Sequence, residues 1–142
     1  MAFMQRTSLS KNNIAGEILV RLPSVIIMAI SWFLSCKETL PSPGFSNSDK
    51  VVHFVCFGGL TFFWTFWFSR KKWISNPIRY FIITVAIVSI YGVVDEIHQS
   101  FVPGRECSFF DWLADTTGAS AGVLFRLFLI KKIFREKESS GQ

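Results

Sequence analysis

The stretch that decides the fold is Tyr80-Phe81-Ile82-Ile83-Thr84-Val85-Ala86-Ile87-Val88-Ser89-Ile90-Tyr91-Gly92-Val93-Val94, followed at once by Asp95-Glu96-Ile97-His98-Gln99 and then Phe101-Val102-Pro103-Gly104-Arg105. The first part is uncharged and reads as a membrane helix, since a span needs about 20 mostly apolar residues. Two adjacent carboxylates then fall at its end. An acid in the hydrocarbon core costs roughly 2.5–3.5 kcal/mol even on the lenient insertion scale, so such residues turn inward and find partners.

The rest of the chain supports a membrane setting. Half of its 142 residues are hydrophobic, 18% are charged, and Phe (16) and Trp (5) are abundant, which is not the composition of a soluble surface. A single domain is expected. The net charge of +5 does not signal nucleic acid, because the basic residues sit in short runs flanking apolar segments. That placement suits lipid headgroups and insertion bias. Cys36, Cys56 and Cys107 are irregularly spaced and give neither a zinc pattern nor an even disulfide framework.

Four spans are expected, over residues 14–36, 49–69, 78–102 and 109–131, after a polar segment 1–13 and before a disordered tail 133–142. The first carries Glu17, Arg21 and Pro23, so it is either an interfacial lead-in to a helix from Pro23 or one kinked span. Phe33-Leu34-Ser35-Cys36 is faintly similar to a lipoprotein cleavage site, but the stretch before it is long and three spans follow. Pro41-Ser42-Pro43-Gly44 marks a loop, and Ser48 is suited to cap the second helix. Arg70-Lys71-Lys72, Arg79, Lys131-Lys132, Arg135 and Lys137 gather at one side of the membrane, which places both termini in the cytoplasm and the Asp95 end outside.

Counting depth at 1.5 Å per residue from these basic ends gives a coincidence. His53 lies about 17 residues from Arg70, Asp95 and Glu96 about 16 and 17 from Arg79, and Asp115 about 16 from Lys131, all ~24–25 Å deep. One turn further out lie Asp49, Gln99 and Asp111, with Lys50 and Arg105 at the rim. Asp49 and His53, Asp95 and Gln99, and Asp111 and Asp115 are each i, i+4 pairs on one helix face. Gly118 and Gly122 continue the Asp115 face as a small-residue packing stripe, and Gly58-Gly59 offers another close approach. The expected architecture is an all-α membrane protein, a compact four-helix bundle with an outward polar pocket.

Asp49-Lys50-x-x-His53-Phe54, then Asp95-Glu96-x-x-Gln99-x-Phe101-x-Pro103-Gly104-Arg105, then Asp111-x-x-x-Asp115-x-x-Gly118 together resemble the VanZ-like family of bacterial membrane proteins. The likeness covers roughly residues 49–122. It implies a multi-pass protein of the cytoplasmic membrane, with a namesake linked to teicoplanin resistance and no settled biochemical activity. The position of Asp115 often reads Asn in members, which casts Asp115 as a hydrogen-bonding group.

Asp95, Glu96 and His53 are candidate acid/base residues, with an interhelix ion-pair network as the plain structural alternative. Lys50, Arg105, Gln99, Asp49, Asp111 and Asp115 are candidate ligand contacts; Arg105 suits a phosphate or carboxylate, or a salt bridge to Asp111 or Glu106. No compact metal motif exists and no cofactor is expected, although the acids and His53 would also suit a divalent cation. His98 reads as rim surface, and Glu17 and Arg126 as residues that snorkel or pair at the cytoplasmic side.

Three functions compete. The first is binding or modification of an envelope lipid or its headgroup, with membrane lipids or a lipid-linked anionic group as partners. The second is a scaffold or chaperone for cell-wall machinery, whose protein partners the sequence does not name. The third is a cation- or proton-coupled transporter, against which the inner halves of the spans carry no acids.

Overall fold

The computed structural model of the chain describes residues 2–38 and 48–140, so the Pro41-Gly44 loop lies outside the described residues. The chain forms α1 (Ala2–Ser35), α2 (Ser48–Trp64), a 3-10 turn (Thr65–Trp67), α3 (Arg70–Ser75), α4 (Pro77–Gln99) and α5 (Phe109–Ser140). Four stretches are long and apolar enough to cross a membrane: Ile14–Ser35, Ser48–Trp67, Pro77–Gln99 and Phe109–Ile133. Between 11% and 33% of the most apolar part of each is buried. Most of the apolar surface therefore faces outward, which a monomeric soluble protein does not tolerate and a lipid-embedded bundle requires.

The helix ends differ from the sequence expectation for identifiable reasons. The helix α5 runs to Ser140, through the stretch expected to be a disordered tail. Lysine, arginine and glutamate end a membrane span but are good helix formers, so the span stops and the helix does not. At the other end of the chain α1 begins at Ala2, well before the apolar segment, with Pro23 inside it. In contrast, α4 ends at Gln99, short of Val102. Pro103 has no N–H for the Gln99 carbonyl, which is taken instead by the Val102 N–H at 2.9 Å.

Glycine sets the tightest contact. A Cβ on Gly118 would overlap the Phe54 carbonyl, and one on Gly122 would overlap the Gly58 carbonyl, so α2 and α5 meet backbone to backbone. This is the small-residue packing expected in lipid, where apolar side chains gain little by meeting each other. Gly58 takes part in it, while a Cβ on Gly59 would meet nothing. Beside this seam, Phe57, Leu60, Val88 and Ala119 form one buried cluster, and Trp73, Val123 and Ile130 form another.

The short helix α3, which the sequence reading lacks, closes the basic end. Trp73 is fully buried there and donates its indole N–H to the Thr65 carbonyl at 3.0 Å. Asn76 then caps α4 by accepting the Arg79 N–H at 3.2 Å, with Pro77 at the first helical position. At the same end Glu17 pairs with Arg21 at 2.9 Å, and the Arg126 guanidinium lies 4.2 Å over the Phe66 ring.

Candidate functional site

The polar residues gather at the opposite end, where α2 and α5 begin and α4 finishes. Successive helix residues point about 100° apart, so the two adjacent acids of α4 cannot share one direction. Asp95 turns toward α1 and Glu96 toward the start of α5. Each meets a different set of partners.

On the Asp95 side, the Ser35 hydroxyl lies 2.7 and 2.8 Å from the two carboxylate oxygens, and Ser31 lies 3.5 Å from Oδ2. Gln99 Nε2 donates to Asp95 Oδ2 at 3.3 Å and to Ser35 Oγ at 3.2 Å. The Gln99 carbonyl oxygen in turn accepts from the Arg105 guanidinium. Arg105 is delivered by a tight turn: its N–H bonds the Val102 carbonyl at 3.1 Å, and Gly104 takes φ of +78° between them. Proline followed by a positive-φ glycine is the sequence a type II turn requires.

On the Glu96 side, Oε2 accepts the Ser108 backbone N–H at 2.7 Å. Ser108 also caps α5, its hydroxyl accepting the Asp111 N–H at 3.3 Å. His53 Nδ1 lies 2.9 Å from Asp115 Oδ1. Ligand-capable atoms of His53, Glu96 and Asp115 all lie within 4.8 Å of one another. Above them Lys50 bridges α2 and α5, reaching Asp49 at 2.8 Å and Asp111 at 3.0 Å.

Of the residues counted to the inner depth, His53, Glu96 and Asp115 meet while Asp95 turns to α1; in the outer turn Lys50 joins Asp49 to Asp111, and Gln99 lies with Asp95. The structure divides what the sequence reading drew as one pocket. Asp95, Gln99 and Arg105 belong to a recess of about 60 Å³ that α1 helps to form through Ser31, Leu34 and Ser35, and that His53 and Cys56 also line. A separate, larger groove of about 430 Å³ lies across α4, with Glu96 and Ser108 beside Val93, Ile97, Phe109 and Trp112. Arg105 has its hydrogen bond to Gln99, and Lys50 holds Asp111.

Sequence reasoning missed Ser31, Ser35 and Ser108. The first two are an i, i+4 pair of hydroxyls in an apolar span, which is a legible signal once a partner acid is sought. Ser108 opens Ser-x-x-Asp before an apolar run, the pattern of a helix start. His98 is not simple rim surface: it stacks on Trp32 of α1 with ring centroids 4.0 Å apart.

Four membrane-length helices with their acids, amides and hydroxyls pooled at one end define a small multi-pass membrane protein with a polar terminal site. More narrowly, the chain belongs to the VanZ/LLP1 family, whose profile matches residues 3–131 and so takes in the first span as well. An uncharacterized protein of fission yeast (Schizosaccharomyces pombe), C11E3.10, is 30% identical over 111 residues. That match covers 76% of this chain and 62% of the yeast protein, so the chain spans under two thirds of its relative's length. No solved structure matches.

Proposed function

We propose that the recess beside Asp95 binds the headgroup of a membrane lipid. The observation that carries this is its size and lining. About 60 Å³ holds a few water-sized groups, at ~10–15 Å³ each, whereas drug-sized ligands need about 300–1,000 Å³. A phosphate or similar small polar group fits. Its lining combines Arg105, Gln99, Asp95 and His53 with Leu34 and Val52, apolar residues that are 40% and 49% exposed and so meet the lipid.

On this reading Arg105 takes the anionic group, Gln99 orients Arg105, and of the acid/base candidates Asp95 and His53 line the recess while Glu96 faces the neighbouring groove. Lys50, Asp49, Asp111 and Asp115 complete the polar end. The excess of Lys and Arg at the α3 end supports a cytoplasmic side for that end and an outward recess, in a bacterial cytoplasmic membrane as the family's namesake suggests. A role in teicoplanin resistance then works through the envelope lipid, because the antibiotic itself is too large for the recess. The fission-yeast relative favours a headgroup chemistry common to bacterial and eukaryotic membranes.

Arg105→Gln tests the proposal. It is expected to abolish a teicoplanin-susceptibility or lipid-composition difference that the wild-type gene confers on a deletion host, at unchanged protein abundance. Retention of the full phenotype would falsify it.

A second reading, a scaffold or chaperone with a structural polar core, is favoured by one observation. Asp95 is 2% exposed and its hydrogen bonds are all internal. It predicts the opposite pattern: Arg105→Gln leaves the phenotype intact, while substitutions at Asp95 lower abundance and release a co-purifying partner.

A further inference from the structure

We infer that His53, Glu96 and Asp115 hold a first-row divalent cation, of the Mn2+ or Zn2+ class, between α2, α4 and α5. Proximity is the first observation: one imidazole and two carboxylates place ligand atoms within 4.8 Å of each other. His53 Nδ1 and Asp115 Oδ1 are already 2.9 Å apart. Two atoms each bound at about 2.0–2.2 Å to one ion lie roughly 3–3.5 Å apart, so these two need little movement and Glu96, whose ligand atom lies within 4.8 Å, closes in on them.

The second observation is independent of proximity. Glu96 and Asp115 are 2% and 0% exposed, and each leaves one carboxylate oxygen, Glu96 Oε1 and Asp115 Oδ2, without a hydrogen-bond donor. Each remaining oxygen has a single partner, the Ser108 N–H on Glu96 and the His53 ring on Asp115. A buried carboxylate oxygen with no donor is more costly than a neutral group left unpaired, unless something positive lies against it.

Charge gives the valence. Among the described residues, the buried and half-buried acids at this end are Asp95, Glu96, Asp111 and Asp115, and the half-buried permanent cations are Lys50 and Arg105. Two positive charges are lacking. Lys50 is held by Asp49 and Asp111, and Arg105 bonds Gln99 on the Asp95 side. One divalent ion restores the balance where neither basic side chain reaches.

The donor set selects the class. Imidazole with carboxylates suits Zn2+ and Mn2+, while Mg2+ and Ca2+ prefer oxygen throughout. Ligation takes the place of the hydrogen bond between His53 Nδ1 and Asp115 Oδ1, with the imidazole neutral and both carboxylates ionised.

This site shares His53 with the lining of the lipid recess, but it does not depend on the lipid reading and its test needs no lipid. Full-length protein, purified in detergent and stripped with chelator, is titrated with ZnCl2 or MnCl2 alone. Calorimetry and, for Mn2+, electron paramagnetic resonance are the readouts. The expected result is one ion per chain at micromolar affinity, weakened at least tenfold by Glu96→Gln and by Asp115→Asn and unchanged by Glu106→Gln, an exposed acid outside the cluster. Asp115→Asn keeps the shape and an acceptor for His53, and its monodispersity on gel filtration shows that folding survives. Absence of saturable uptake of either metal by the wild type overturns the inference, since a proton then neutralises the pair. So does binding that all three variants share equally.

Discussion

A carboxylate at the end of a membrane span is stable only as far as its oxygens are occupied, and here the two neighbours on α4 are occupied differently. Asp95 is surrounded by hydroxyl and amide donors from Ser31, Ser35 and Gln99, whereas Glu96 keeps one oxygen without a donor. Ser35→Ala removes the shortest of Asp95's bonds. A hydrogen bond to a charged group contributes about 1.5–3 kcal/mol, so thermal unfolding in detergent is expected several degrees lower. Ser100→Ala, at an exposed hydroxyl bonded to the Ile97 carbonyl, is the control and is expected to match the wild type. The acids themselves were legible in the sequence because charge in an apolar run is anomalous. Their serine partners were less so, because a hydroxyl in a span costs little and draws no attention until the fold supplies an acid facing it.

At the scale of elements, the chain was legible where one force dominates. Unbroken apolar runs gave the spans, and depth counted from the basic ends brought His53 to Asp115, because a straight helix rises uniformly. The ends were harder. Charge marks where a span leaves the membrane, but helix propensity and proline decide where the helix stops, and the two diverge at α4 and α5. The α2–α5 seam carries its own prediction. Gly118→Ala and Gly122→Ala each put a methyl into a carbonyl of the opposite helix that cannot retreat. A cost of about 1–3 kcal/mol or more is expected for each, read as loss of monodisperse protein on gel filtration. Gly59→Ala, which meets open space, is expected to be neutral or slightly stabilising.

For the whole molecule, the bundle has one polar end and one basic end, and the proposed orientation follows from that asymmetry. Cys107 is exposed at the polar end. In a variant where it is the remaining cysteine, a membrane-impermeant maleimide applied to intact cells is expected to label it. A cysteine at Ser75, at the basic end, is expected to react only after lysis. The reverse pattern would place the recess in the cytoplasm and end the outer-leaflet proposal. The order of synthesis gives the Ser35–Asp95 contact a further meaning. The first span enters the bilayer while Asp95 is still untranslated, and during that interval its hydroxyl has a partner in its own helix, the Ser31 carbonyl at 2.9 Å. Asp95's partner within its own helix is the Gln99 amide at 3.3 Å, longer than the bond of 2.7 Å that Ser35 brings. The chain therefore sets the donor in place first and the acid arrives to meet it, so Asp95 gains its shortest hydrogen bond as soon as its span docks against α1.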